Sequence, residues 1–311
     1  SVVVGGCCNL SSGNRAVIVG GECNISSGGG SGVFSGFRNC ATAFYSFVVG
    51  GYTNTASGAC TFIGGGGANC ATAGYATVGG GCNNKATGIR SFIGGGYNNT
   101  ASGYAANVNG GAGNTASNTL STVGGGVAHT SNGNRSTVGG GDTNIASGAY
   151  STVSGGYLNT ASGINSSVGG GQGNLANWTN STVAGGFSNT AYLVSAFVGG
   201  GSCNLAGYNY TTVSGGYKNS ANCFTGASVL GGYYNDALGE YSTVGGGYNN
   251  DATGRLTFIG GGDSNVASAA CSTVGGGRLN TASGIYSVVA GGYANCATSC
   301  YTTAAGGANN R

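Results

Sequence analysis

Proline and methionine are absent, histidine and tryptophan occur once each, and charged residues make up only 5% of the chain. Each shortage removes a class of explanation. Without proline, and without a strict three-residue glycine period, the chain cannot be a collagen-type helix despite its 71 glycines. One histidine and six scattered carboxylates leave little for acid–base catalysis, so no catalytic residue and no cofactor is expected. Nine basic residues against six acidic ones give a net charge of +3, too weak and too dispersed for a nucleic-acid or acidic-membrane footprint. No run approaches the ~18 apolar residues of a bilayer-spanning helix, so no membrane insertion by this segment is expected. The chain begins at Ser1 with no secretory signal, and it is expected to be processed or to form part of a longer polypeptide.

What is present is periodic. Hydrophobic residues make up 40% of the chain and fall at fixed places, which is not the pattern of a disordered polymer. Taking the second glycine of each Gly-Gly pair as anchor gives Gly6, Gly21, Gly36, Gly51 and onward in steps of fifteen, to Gly307, in 21 repeats. One extra residue is inserted between Asn219 and Ser228. Three residues before the anchor stands valine or isoleucine in 20 of the 21 repeats, as in Val48, Val78, Val123, Val138, Val153, Val244 and Val274. Three after it stands asparagine, as in Asn54, Asn84, Asn99, Asn144 and Asn250, with His129 as the one substitution. Two residues further on comes alanine or serine.

Fifteen residues are too few for a helical hairpin repeat or a propeller blade, but they fit one coil of a thin β-solenoid. The reading is therefore all-β: a β-solenoid, or β-roll, of about 21 coils, forming a single continuous domain over residues 1–311. In a stretch such as "YSTV" the serine and valine point to one side and the tyrosine and threonine to the other. The pairs ending in Gly51, Gly81, Gly96, Gly141 and Gly247 turn the chain, "NTAS" supplies a second strand, and glycines such as Gly58 and Gly88 close the coil. At about 4.8 Å per layer, the repeats predict a rod on the order of 100 Å long. The asparagine column has two open roles: amides bonding from coil to coil, or a left-handed turn. So thin a core predicts self-association. No cap covers either end of the repeat, which predicts continuation of the chain or end-to-end stacking as a filament.

The residue types that could carry chemistry have plainer readings. His129 replaces a column asparagine, so it reads as structural. "GGG" recurs without a following helix, which argues against a phosphate loop. Twelve cysteines favour an oxidising exterior, and the lack of a repeated Cys-x-x-Cys argues against a metal site. Cys8 and Cys23 precede the column asparagine in successive coils, at about 5 Å, and form a candidate disulfide. Cys40 and Cys70 share a column but skip a coil. Tyrosines at two outward phases suit protein or sugar contact, interchain packing or cross-coil stacking. Trp178 takes a closing-glycine position and is expected at an exposed corner. Asn98, Asn134, Asn165, Asn177, Asn180 and Asn209 open glycosylation sequons, whereas Asn9 and Asn24 lie in the structural column.

The columns of "STVGGGYNNDATG" at Ser242, with Val, Gly-Gly, Asn and Ala in fixed phase, resemble the YadA-like head repeats of trimeric autotransporter adhesins, and similar repeats occur in viral and secreted fibres. That resemblance implies a left-handed β-roll, packing as a trimer, an extracellular or cell-surface location, and a host-matrix or carbohydrate ligand. Twelve cysteines depart from it, as does the lack of a heptad stalk, neck or anchor barrel in these residues. The expected function is a non-enzymatic extracellular fibre or adhesin head. An ice-binding solenoid is the alternative; it needs a regular threonine array, and the column beside the valine instead mixes Thr77, Thr122 and Thr137 with Phe62, Phe92 and Asn107. Clustered carboxylates for a carbohydrate-active β-helix enzyme are missing.

Overall fold

Strands only two residues long recur twice in each repeat, Phe47–Val48 and Thr55–Ala56 being one such pair. A computed structural model describes residues Ser1–Arg311, in which every strand pairs in parallel with its counterpart one repeat away. The fold is an all-β parallel solenoid of about 20 coils, gathered into two compact units, Ser1–Tyr157 and Leu158–Arg311.

In the first unit Phe47 and Val48 lie against Phe62 and Ile63, and Thr55 and Ala56 lie against Cys70 and Ala71. In the second, Thr243 and Val244 lie against Phe258 and Ile259, and Asp251 and Ala252 lie against Val266 and Ala267. So short a strand is stable because its backbone groups bond to the neighbouring coils rather than within the coil. Phe47 N–H, for example, donates to Thr61 O at 2.9 Å and Val49 N–H to Ile63 O at 3.0 Å. The two-strand reading of the repeat missed a third track. Single residues just after the anchor glycine also bridge in parallel, Tyr52 to Gly67 to Cys82 in the first unit and Tyr217 to Tyr233 to Tyr248 in the second.

Alternation sends one residue of each strand inward. Val48, Val78, Val123, Val138 and Val153 in the first unit, and Val244 and Val274 in the second, are fully buried, as is the alanine of the opposite strand. A small residue two before the valine joins them and ties the corner: Ser46 Oγ donates to Ala43 O at 2.8 Å and Thr61 Oγ1 to Gly58 O at 2.7 Å. Only side chains of this size fit between strands so close together.

The asparagine column takes the first of its two open roles. Asn54 Nδ2 donates to Gly50 O at 3.0 Å and to Gly66 O at 2.9 Å, while its Oδ1 accepts the N–H of Asn69 at 2.9 Å. Asn84 and Asn250 repeat that set. Each amide thus satisfies buried backbone groups of its own coil and of the coil that follows. The left-handed conformation falls instead on the residue before the asparagine and on the residue three before the valine, at Thr53 (φ 53°) and Tyr45 (φ 52°) for example. Non-glycine residues rarely adopt it, at a cost of roughly 1 kcal/mol each.

The anchor glycines are of a different kind. Gly51, Gly81, Gly96, Gly141 and Gly247 have φ between 85° and 97°. A Cβ on Gly81 would run into the Gly96 carbonyl. The inserted residue is absorbed at a corner: Asn235 N–H still donates to Asn219 Oδ1 at 2.9 Å, and Val213 still pairs with Val229.

Candidate functional site

With the interior occupied by repeat residues, chemistry is left to the outward columns and corners. No group of three or more His, Cys, Asp and Glu side chains is arranged to hold a metal ion. No helix is long and apolar enough to cross a membrane.

The first unit presents a corner that carries arginine and tyrosine. Arg15, Arg90 and Arg135 share the left-handed position three before the valine or isoleucine, in the same column as Tyr45, Tyr75 and Tyr150. Arg90 Nη1 donates to Tyr104 Oη at 2.6 Å and lies over that ring at 5.7 Å, and Arg135 does the same to Tyr150 at 2.8 Å and 5.4 Å. None of these three arginines forms an ion pair with a carboxylate. Tyr45, Tyr75, Tyr104 and Tyr150 are all exposed.

The second unit arranges the same residue types differently. Tyr217, Tyr233 and Tyr248 stack at 4.7 and 5.6 Å between ring centroids, with Tyr234 set edge-on against Tyr233. Lys218 Nζ donates to Tyr234 Oη at 2.9 Å, and those phenol oxygens hold the ammonium above its ordinary pKa. Arg255 pairs with Glu240 at 2.9 Å and Arg278 with Asp263 at 3.2 Å.

Asp236 and Asp251 are register partners in adjacent coils, a juxtaposition that the sequence reading passed over although the two lie fifteen residues apart in repeated "NDA" triplets. Burial raises the pKa of both carboxyls, and Asp251 raises that of Asp236 further through like charge.

None of the twelve cysteines is bridged in this structure. Cys8 Sγ lies 3.3 Å from Cys7 Sγ, and Cys8 also bears on Cys23, whose thiol is raised mainly by desolvation and then by Cys8. Cys40 and Cys70 flank Thr55 from either side. Tyr52 lies across Gly67, where a Cβ would collide with its ring, and the Cys82 thiol in the coil beyond pushes the pKa of its phenol up.

Of the sequon asparagines, Asn98, Asn134, Asn165 and Asn180 are exposed at corners, and Asn177 and Asn209 are half-buried. Asn177 Oδ1 accepts Ser162 Oγ at 3.1 Å, and Asn209 Oδ1 accepts Val194 N–H at 3.2 Å. Trp178 is exposed, and its backbone is tied by Ser181 Oγ, which donates to Trp178 O at 2.6 Å.

No curated protein matches the chain. Residues 151–163 and 181–192 match the family model described as the ubiquitous surface protein adhesin repeat. Taken with the fifteen-residue parallel solenoid, these matches fit a repeat of the YadA-like, trimeric autotransporter adhesin type.

Proposed function

We propose that this chain is a non-enzymatic adhesin-like structural element, displayed outside the cell, in which the buried columns build the solenoid and the corners make the contacts. The adhesin-repeat match on a solenoid with a uniform interior and variable corners carries this reading. The solenoid is left-handed and associates with two further copies, or end to end. Light scattering after size exclusion tests the assembly: a discrete mass of three chains, or polymers, supports it, and a stable monomer overturns it. The Cys8–Cys23 bridge belongs to the same proposal: the two residues hold one phase of the repeat in adjacent coils, about 5 Å apart at the usual layer spacing, and an exterior location would oxidise them. Peptide mapping without reductant finds either the bridged peptide or two free thiols.

The ligand surface we propose is the arginine–tyrosine corner of the first unit, for an acidic host-matrix carbohydrate. Exposed tyrosine rings stack on sugar faces, and guanidinium groups donate paired hydrogen bonds to carboxylate or sulfate. Retention on immobilised heparin tests it. The Arg90→Ala/Arg135→Ala variant elutes at lower salt than the parent, and an unchanged elution position rejects this surface.

One observation favours ice binding as a second reading. Thr100, Thr115 and Thr130 lie in register on one face, with Ser102 and Ser117 beside them. Lys85 and Ile145 end the run, so the array is short. Thermal hysteresis measured on the purified chain decides it.

A further inference from the structure

His129 stands where the other coils place asparagine, and it reproduces the amide's links with a ring that can titrate. Its own N–H donates to Asn114 Oδ1 at 2.9 Å, and its Nδ1 accepts the N–H of Asn144 at 3.0 Å. One coil earlier, Asn114 N–H donates to Asn99 Oδ1 at 2.9 Å in the same way. The side chain is fully buried. Nε2 faces the Gly141 carbonyl without closing a hydrogen bond of full geometry, whereas Asn114 Nδ2 donates to both Gly110 and Gly126. An acceptor at Nδ1 requires the neutral ring with its proton on Nε2; this tautomer is assigned from the bonding partner.

We propose that His129 is an acid-sensitive joint in the asparagine ladder of the first unit. Protonation turns Nδ1 from acceptor into donor and sets it against the Asn144 N–H. The link between these two coils is then lost, and a charge is left in the interior. Replacement of the column residue therefore confers a property that no amide in the ladder has.

The surroundings offer the imidazolium little compensation. Asp142, an exposed carboxylate in the next coil, is the one charged group acting on the ring. The coil below contributes Asn114 and its neighbours Ala112 and Gly113, and the ring's own coil contributes Val127 and Ala128. Across the interior stand Val123, Val138 and Ser136, none of which titrates in this range. Arg135 is engaged by Tyr150 at a different corner. Burial lowers the ring's pKa from its ordinary 6.5, outweighing the upward pulls of the Gly141 backbone, then of Asp142 and of the Asn144 backbone. The folded state therefore binds the proton less readily than the unfolded chain. The stabilisation is complete above 6.5 and is lost as the pH falls from there towards the depressed folded value.

Hydrogen exchange on the full chain tests the joint. Protection of the amides from residue 130 to residue 146, corrected for intrinsic exchange, is compared at about pH 7.5 and about pH 5 with protection around Asn69 and Asn84. The expected result is a loss of about tenfold or more around Asn144, little change around Asn84, and no selective loss in His129→Asn, whose amide restores the uniform column. Equal pH dependence at both places, or the same loss in His129→Asn, overturns the proposal. If His129→Asn folds poorly, the ring nitrogen shifts of the parent chain decide: a ring still neutral at about pH 5 while Asn144 loses protection also overturns it.

Discussion

The two units bury the same kinds of residue and differ in how they treat charge. Residues Ser1–Tyr157 carry five basic against two acidic side chains, a net of +3, whereas Leu158–Arg311 carry four of each, a net of zero. In the first unit Arg90 and Arg135 rest on tyrosines, and in the second Arg255 and Arg278 rest on carboxylates. The first unit buries a base, His129, and the second half-buries an acid pair, Asp236 and Asp251. One backbone template thus carries opposite electrostatic responses, set in one unit by a base inside the asparagine column and in the other by a carboxyl pair on the neighbouring strand.

The largest expected effect tests what the units have in common. In Gly81→Ala, a Cβ meets the Gly96 carbonyl at φ 85°, so that coil is broken, while Gly80→Ala next to it, with open space around its Cβ, is nearly neutral. Thermal unfolding of the two variants checks this; similar transition temperatures contradict the packing described above. Next come Asn84→Leu in the first unit and Asn250→Leu in the second. Each removes two donors and one acceptor that satisfy buried backbone groups, and each costs about 3 kcal/mol or more in denaturant unfolding. Unequal losses would show that the ladder is not the shared frame.

The pH response sharpens the contrast. A carboxyl raised by burial binds its proton more readily in the folded state, so Asp236 and Asp251 make the second unit more stable on acidification and less stable as the pH rises past the ordinary carboxylate value of 3.8. His129 makes the first unit respond in the opposite sense. Asp251→Asn is therefore expected to stabilise the second unit near neutral pH, by up to about 1 kcal/mol given that the group is only half-buried. Exchange protection of residues 236–252 reads this out, and a destabilised variant contradicts it. The smallest effect belongs to Arg255→Ala, whose exposed ion pair with Glu240 contributes within about 0.5 kcal/mol; its unfolding midpoint should scarcely move.

Much of this frame is legible in the bare sequence, because Val48, Asn54 and Gly51 recur at fixed phase and each has a residue-specific physical task. The third bridging track is not legible, since Tyr52, Gly67 and Cys82 share no side-chain chemistry and pair only through the backbone. The left-handed corners are hidden for a related reason: Thr53, Tyr45 and Arg90 are not residues from which positive φ is inferred. The Asp236–Asp251 neighbourhood follows from the period but shows only when the repeats are laid over one another. At the candidate surface the tyrosines are visible, whereas their pairing with Arg90 and Arg135 depends on which corner each coil presents. The tautomer of His129 follows from its hydrogen-bond partners alone.

The left-handed corner before the asparagine accepts Cys8, Arg38, Thr53, Ala68, Lys218 and Leu279 in nearly one backbone conformation, with φ between 50° and 58°. Main-chain shape there is held by adjoining coils and is insensitive to the side chain it carries. Such a position is a socket: substitutions that would disrupt an ordinary turn alter only what the molecule shows to its surroundings. A lineage, or an engineer, can therefore rewrite the exposed text one coil at a time while the scaffold beneath stays the same.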